Sequence, residues 1–317
     1  MRIPLRLPAA TVSAGLFVAL LAPAACGPST AARSEAGVSD ATAPGATPTP
    51  TSAAASPDTL RVLAYNIHHG AGNDEVLDLE RIARLIRDLE PDLVALQEVD
   101  LGVDRTGGVD QAAVLGDLAG MTPVFGEFMP YQGGDYGMAV LSSWPVVRSW
   151  NHRLPDGAEP RTAVTVHLRS PDTGREILLS DIHLYRTEGE RLAQALTLDS
   201  LLRMESGAGA ESGAGDMSRT SGGAVAGTPG TTDLPTILAG DFNSEPGTAV
   251  MDTLAAAGWW ILPKEGSPLT FRSDDPVREI DYVLLRPRDR WTVLEHRVIE
   301  EPVASDHSPI FAVLVLQ

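Results

Sequence analysis

Five short polar clusters in the 317-residue chain each set a carboxylate, carboxamide or imidazole at the end of an apolar run: YNIHHG, LQEVD, DIHL, GDFN and SDH. Asn66 closes the first run and Glu98 the second. If those two runs are neighbouring strands, two oxygen ligands converge, and such ligands suit magnesium or manganese, which retain waters and are completed by substrate phosphate. Taken singly, each is more often a turn-forming Asn or a surface Glu. In GDFN, Gly240 permits a sharp turn, and Asp241 and Asn243 stand two apart, on the same side if the backbone is extended. A carboxylate and a carboxamide so placed can hold an attacking water and stabilise an anionic transition state. A plain Asx turn explains the same pair equally well. SDH supplies Asp306 and His307 just before Pro309, and EIDYVL supplies Asp281. A histidine beside a carboxylate has its tautomer fixed and its charged form stabilised, so His307 and Asp281 are a candidate pair. Spacing alone does not show that they touch. His183, in DIHL, is a second imidazole at a strand end, where a lone histidine is more often structural.

The elements that must position these groups alternate in type. Period-2 or continuous apolar runs give strands at residues 60–67, 93–99, 138–142, 162–168, 176–183, 235–239, 280–285 and 310–316. Helical spacing appears at 78–89, with Leu79, Ile82, Ile86 and Leu89 on one face, and again near 111–118, 188–204 and 248–257. Pro91 ends the first helix. Strands and helices interleave without the strict alternation of a barrel, which points to packed sheets covered by helices. Two stretches have little to bury. Residues 27–57 are rich in Ala, Ser, Thr, Pro and Gly and read as a flexible stalk. Residues 205–232, rich in Gly, Ala and Ser between two periodic segments, read as a mobile surface insertion in one domain spanning 58–317.

Charge narrows the partners. Asp and Glu number 42 against 24 Lys and Arg, for a net charge of −18, and so acidic a surface repels a long polyanion. Nucleic acid is therefore a disfavoured partner, though a bound divalent metal can reverse the repulsion locally. The single cysteine, Cys26, excludes an intramolecular disulfide framework and a thiolate zinc cluster. Residues 1–26 read as an export signal: Arg2 and Arg6, an apolar stretch through Leu21 too short to favour a membrane span, then small residues. Ala22-Pro23-Ala24 suits ordinary cleavage. Ala24-Ala25-Cys26-Gly27 instead resembles a bacterial lipoprotein site, although Pro23 stands where such sites usually carry Leu. The expectation is an exported protein, tethered to the membrane through a lipidated Cys26 or freely secreted.

In this order, LQEV, GDFN, IDYVL and SDHSPI resemble the endonuclease/exonuclease/phosphatase superfamily of metal-dependent phosphoesterases, which includes DNase I-like nucleases, sphingomyelinases and inositol-phosphate phosphatases. The resemblance covers residues 60–316 and implies an α/β four-layer sandwich, two mixed β-sheets packed face to face with helices outside. It also assigns roles. Asn66 and Glu98 would hold a divalent metal, Mg2+ or Mn2+, with Asp306 near it; Asp241 and Asn243 would orient water and phosphate. His307, paired with Asp281, would act on that water or stabilise the pentacovalent phosphorus. His183 matches the family's other histidine, which contacts a phosphoryl oxygen or assists the leaving group. DNase I-like enzymes support that histidine with a Glu, whereas the corresponding stretch here, YGMAVLSSWP, holds no carboxylate. Its first residue, Tyr136, could reach the site, although an aromatic there is more often core packing. Arg161, in EPRTAV, and Arg105, in DRTGG, can clamp a phosphate through the planar guanidinium fork. A surface ion pair accounts for Arg105 slightly better.

The expected function is hydrolysis of a small or lipid-linked phosphate ester by metal-assisted in-line attack of water. An extracellular nuclease uses the same residues and is the alternative. A catalytically silent surface-binding protein ranks last, because Asn66, Glu98, Asp241, Asn243, Asp281, Asp306 and His307 are all in place. Substrate choice is expected from loops near residues 102–110, 132–137 and 264–275.

Overall fold

The computed structural model describes residues 58–211 and 233–317. The export signal, Cys26, the stalk and most of the 205–232 insertion lie outside the described residues. Two six-stranded mixed sheets make up the frame. In the first the spatial order is β11 (Trp291–Val298), β12 (Ile310–Leu316), β1 (Asp58–Asn66), β2 (Leu93–Leu101), β4 (Gly134–Ser142) and β3 (Thr122–Tyr131). In the second it is β5 (Val146–Arg153), β6 (Thr162–Arg169), β7 (Glu176–His183), β8 (Thr236–Asp241), β10 (Asp281–Arg286) and β9 (Trp260–Ile261). Each sheet has one parallel pair at its centre, β1 with β2 and β7 with β8, and every other pairing is antiparallel.

The period of two sorts side chains into layers. Along β1, Leu60, Val62 and Ala64 enter the core between the sheets, while Leu63 and Tyr65 face the helices α1 (Leu79–Leu89) and α2 (Gln111–Ala119). On the second sheet Ile237 and Ala239 of β8 point inward, and Leu238 faces α3 (Glu188–Glu211) and α4 (Ala249–Ala256). Both faces of the central strands are therefore buried, which is why they read as continuous apolar runs. The expected four-layer α/β sandwich is the observed fold. Helix ends follow ordinary chemistry: the Asp78 side chain accepts from Arg81 N at 3.0 Å, and Asp110 accepts from Ala113 N at 3.0 Å.

Four strands lacked a sequence signal. β3, β5, β9 and β11 are the four sheet edges. Pro123 and Pro130 lie in β3, and β5 exposes Arg148, Ser149, Asn151 and Arg153, so neither carries the run of apolar residues that marks a central strand. Helix α3 also departs from expectation. It passes residue 204 and is described as far as Glu211, with Ser206 buried, so the first residues assigned to the surface insertion belong to the helix.

Candidate active site

The ends of the two parallel strand pairs meet over one cavity of about 570 Å3. On the first sheet Asn66 pairs in register with Gln97, and a bulge follows between Gln97 and Val99. The residue inserted there is Glu98, at φ 59°. A bulge re-aims a side chain, and this one turns Glu98 out of the strand alternation into the cavity. Asn66 Nδ2 donates to Glu98 Oε1 at 3.1 Å, so the two expected oxygen ligands do stand together.

On the second sheet the register places His183, Asp241 and Asp281 in one row across β7, β8 and β10. Asp241 is the hub. Its carboxylate accepts from Asn66 Nδ2 at 3.3 Å and from Asn243 N at 2.7 Å, and lies 3.3 Å from His183 Nε2 and 3.7 Å from His307 Nε2. His307 Nδ1 sits 3.0 and 3.2 Å from the two Asp281 oxygens, so the pair that spacing left open is in contact. The backbone of GDFN does not stay extended past Asp241, as the same-side argument required. Asn243 has φ 48° and its N–H closes an Asx turn on Asp241, yet the turn itself brings both residues to the cavity. Gly240 also differs from its expected use. It lies within β8, and a Cβ there would stand 2.1 Å from the Ile182 carbonyl oxygen, so it serves close strand approach and not a turn after the strand.

Burial sets the charge states. Burial first, then the nearby Arg161 and His307, holds His183 well below the usual histidine range, as a neutral imidazole. Its Nδ1 is buried without a hydrogen-bond partner, in keeping with the carboxylate missing from YGMAVLSSWP. His307 behaves oppositely: burial opposes its charge, but the carboxylates of Asp281 and Asp241 outweigh that and raise it. Burial and the neighbouring Asp281 raise Asp241, with His307 pulling the other way.

The two arginines prove different. Arg161 is 3% exposed, forms an ion pair through Nη2 with Glu159 at 3.1 Å, and lies over the rings of Phe128 and Tyr185. Its Nε and Nη1 are buried with no acceptor, an open demand for anionic oxygen at the cavity wall. Arg105 is held by a bidentate pair with buried Asp100 at 2.7 and 2.8 Å. That is an ion pair, as expected, but at the cavity wall and stacked on Tyr131 and Tyr136, not a free surface contact. Tyr136 belongs both to the core between the sheets and to this wall.

Asp306 lines the cavity, as Glu98 does. Two carboxylates with an adjacent carboxamide form the oxygen-rich donor set that a hard divalent cation takes, so the residues present fit such an ion. Asn66 here turns Nδ2 toward Glu98 and accepts the His68 N–H on Oδ1 at 3.1 Å; as a ligand it would present Oδ1 instead. Several cavity residues escaped the sequence reading, among them His68, Tyr131, Glu159, Arg186, Phe271 and Arg278. His68 was within reach, being two residues from Asn66 in YNIHHG. Tyr131 is brought in by the tight Gln132-Gly133 turn, with φ 42° and 84°, that joins β3 to β4.

Comparison with known proteins then decides the family. Residues 63–307 match the family described as Endonuclease/Exonuclease/phosphatase. The chain belongs to that family. Its fold is shared with many solved structures. An endonuclease/exonuclease/phosphatase family protein from Bacteroides thetaiotaomicron is 18% identical, covering 82% of this chain and 99% of its own, with a TM-score of 0.64. A mannosyl-6-phosphatase of the same bacterium is 19% identical over 81% of this chain and all of its own, with a TM-score of 0.62. The catalytic domain of human Nocturnin, solved with a bound sulfate anion, is 21% identical over 82% and 98% respectively, with a TM-score of 0.61. The chain is thus an enzyme of phosphoric ester hydrolysis.

Proposed function

We propose that this enzyme hydrolyses a small or lipid-linked phosphate ester outside the cell, using Mg2+ or Mn2+ held by Glu98, Asn66 and Asp306. The observation that carries the reading is the in-register row of His183, Asp241 and Asp281, closed by His307, facing a cavity on whose wall Arg161 keeps Nε and Nη1 without partners. When bound, the ion supplies positive charge to the phosphoryl oxygens. Arg161 takes phosphoryl oxygen on a free guanidinium N–H while Nη2 stays paired with Glu159. Asp241 and Asn243 orient the water, whose oxygen bonds to phosphorus as the ester P–O bond breaks. Asp241, raised by burial, is suited to receive a proton near neutral pH. His307, kept cationic by Asp281, stabilises charge on the pentacovalent phosphorus, and neutral His183 contacts a phosphoryl oxygen or the leaving group.

The test is hydrolysis of bis(p-nitrophenyl) phosphate, p-nitrophenyl phosphate and mannose 6-phosphate with each metal, beside Asp241→Ala and His307→Ala. Turnover lost in both variants is expected. Turnover that survives them removes the assigned roles. Plasmid DNA is the competing substrate, opposed by the net charge of −18, and its degradation at moderate salt in preference to the small esters would make the enzyme a nuclease. The signal-like residues 1–26 support export and a lipid on Cys26. Mass spectrometry of the mature amino terminus from the membrane fraction checks this, and Cys26→Ala should release the protein.

A further inference from the structure

We propose that Glu98 serves a second metal site, formed with the imidazoles of His68 and His69, that selects a borderline transition ion such as Zn2+ or Co2+ over Mg2+. One ligand atom from each of these three side chains lies within 4.8 Å of the other two. A tetrahedral site with bonds of about 2.1 Å has edges of about 3.4 Å, so the three close on an ion by about 1.4 Å at most. The surroundings support ligation. His68 Nδ1 lies 3.1 Å from the Ala71 carbonyl, the backbone anchor that fixes a ligating imidazole and leaves its Nε2 free. His69 Nδ1 is buried with no hydrogen-bond partner. The backbone of the pair is fixed from below, where buried Gln111 donates to the His69 carbonyl at 2.7 Å. Arg105, on the wall of the same cavity, is already paired with Asp100.

Ligand type sets the ion. Mg2+ prefers oxygen donors and retained water, whereas imidazole favours zinc, cobalt and nickel. His68 and Glu98 both face the cavity, so its water or a phosphoryl oxygen completes the site. Its use in catalysis rests on the phosphoesterase reading, but its existence does not.

Metal-stripped protein is titrated with Co2+ in excess Mg2+, following cobalt absorption. One equivalent should bind, and His68→Gln and His69→Gln should each weaken Co2+ at least 10-fold with Mg2+ affinity unchanged. Unchanged Co2+ affinity in the double variant overturns the site. Should those variants fail to fold, pulsed electron paramagnetic resonance of Cu2+ bound in excess Mg2+ to the His183→Asn/His307→Asn protein decides. Nitrogen coupling there supports the site, and its absence overturns it. Hydrolysis measured in parallel separates the ideas: Mg2+-dependent turnover without a nitrogen-ligated site refutes this inference alone, and a nitrogen-ligated site without turnover refutes the phosphoesterase reading alone.

Discussion

Asp281→Asn tests the electrostatic reasoning of the site most directly, because it keeps the side-chain shape and removes one charge. His307 Nδ1 lies 3.0 and 3.2 Å from the Asp281 oxygens. Both charges are delocalised, and at an effective separation of about 4 Å and a dielectric of about 20 their attraction is about 4 kcal/mol. At about 1.4 kcal/mol per pKa unit, that amounts to about 3 units. Nuclear magnetic resonance titration of the His307 ring in metal-free protein should show the midpoint falling by about that much. The catalytic consequence has a sign. A cationic His307 is required, so kcat declines as pH rises through the His307 pKa, and in Asp281→Asn that decline moves to lower pH by the same amount. From about 10 the midpoint falls to about 7, so at pH 9, where the native His307 still carries its charge, only about 1% of the variant does, and kcat there should fall by about 10²-fold. A midpoint that moves by less than about one unit, or a pH profile left in place, refutes the argument.

Three further outcomes follow from named contacts. Gly240→Ala sets a methyl 2.1 Å from the Ile182 carbonyl oxygen and should cost about 3 kcal/mol or more in urea unfolding, with loss of turnover, as β7 and β8 part beneath Asp241. Arg161→Met should lower kcat/KM by about 10²-fold and weaken inhibition by inorganic phosphate, and Arg161→Lys should restore little because a point charge lacks the planar fork. Buried His296, lowered by burial to about 4, stays neutral in the fold while the unfolded chain takes a proton below about 6.5. Stability must then fall as pH drops through that window, by about 2 kcal/mol from this residue at pH 5, and His296→Gln should flatten the loss measured between pH 7 and pH 5.

Much of the fold was legible because its central strands are buried on both faces. Residues 60–67, 93–99 and 310–316 had to be apolar whatever their neighbours, and their sequences say so. The edge strands β3, β5 and β11 satisfy only half that demand and are hidden by their charges and prolines, while β9 is only two residues long. The extension of α3 past residue 204 was hidden for a related reason, since Gly, Ala and Ser carry no helical periodicity.

The chemistry divides along the same line. Residue type and order along the chain determined the family, the oxygen-rich donor set and the pairing candidates His307 and Asp281, because phosphoryl chemistry needs those groups and few others. Only the tertiary structure decided which of them share charge. Strand register put Asp241 among His183, His307 and Asn66, a bulge turned Glu98 inward, and burial left His183 neutral while two carboxylates made His307 a cation. Those properties depend on distances between residues far apart in sequence and on the water excluded around them, and neither quantity exists until the two sheets have packed.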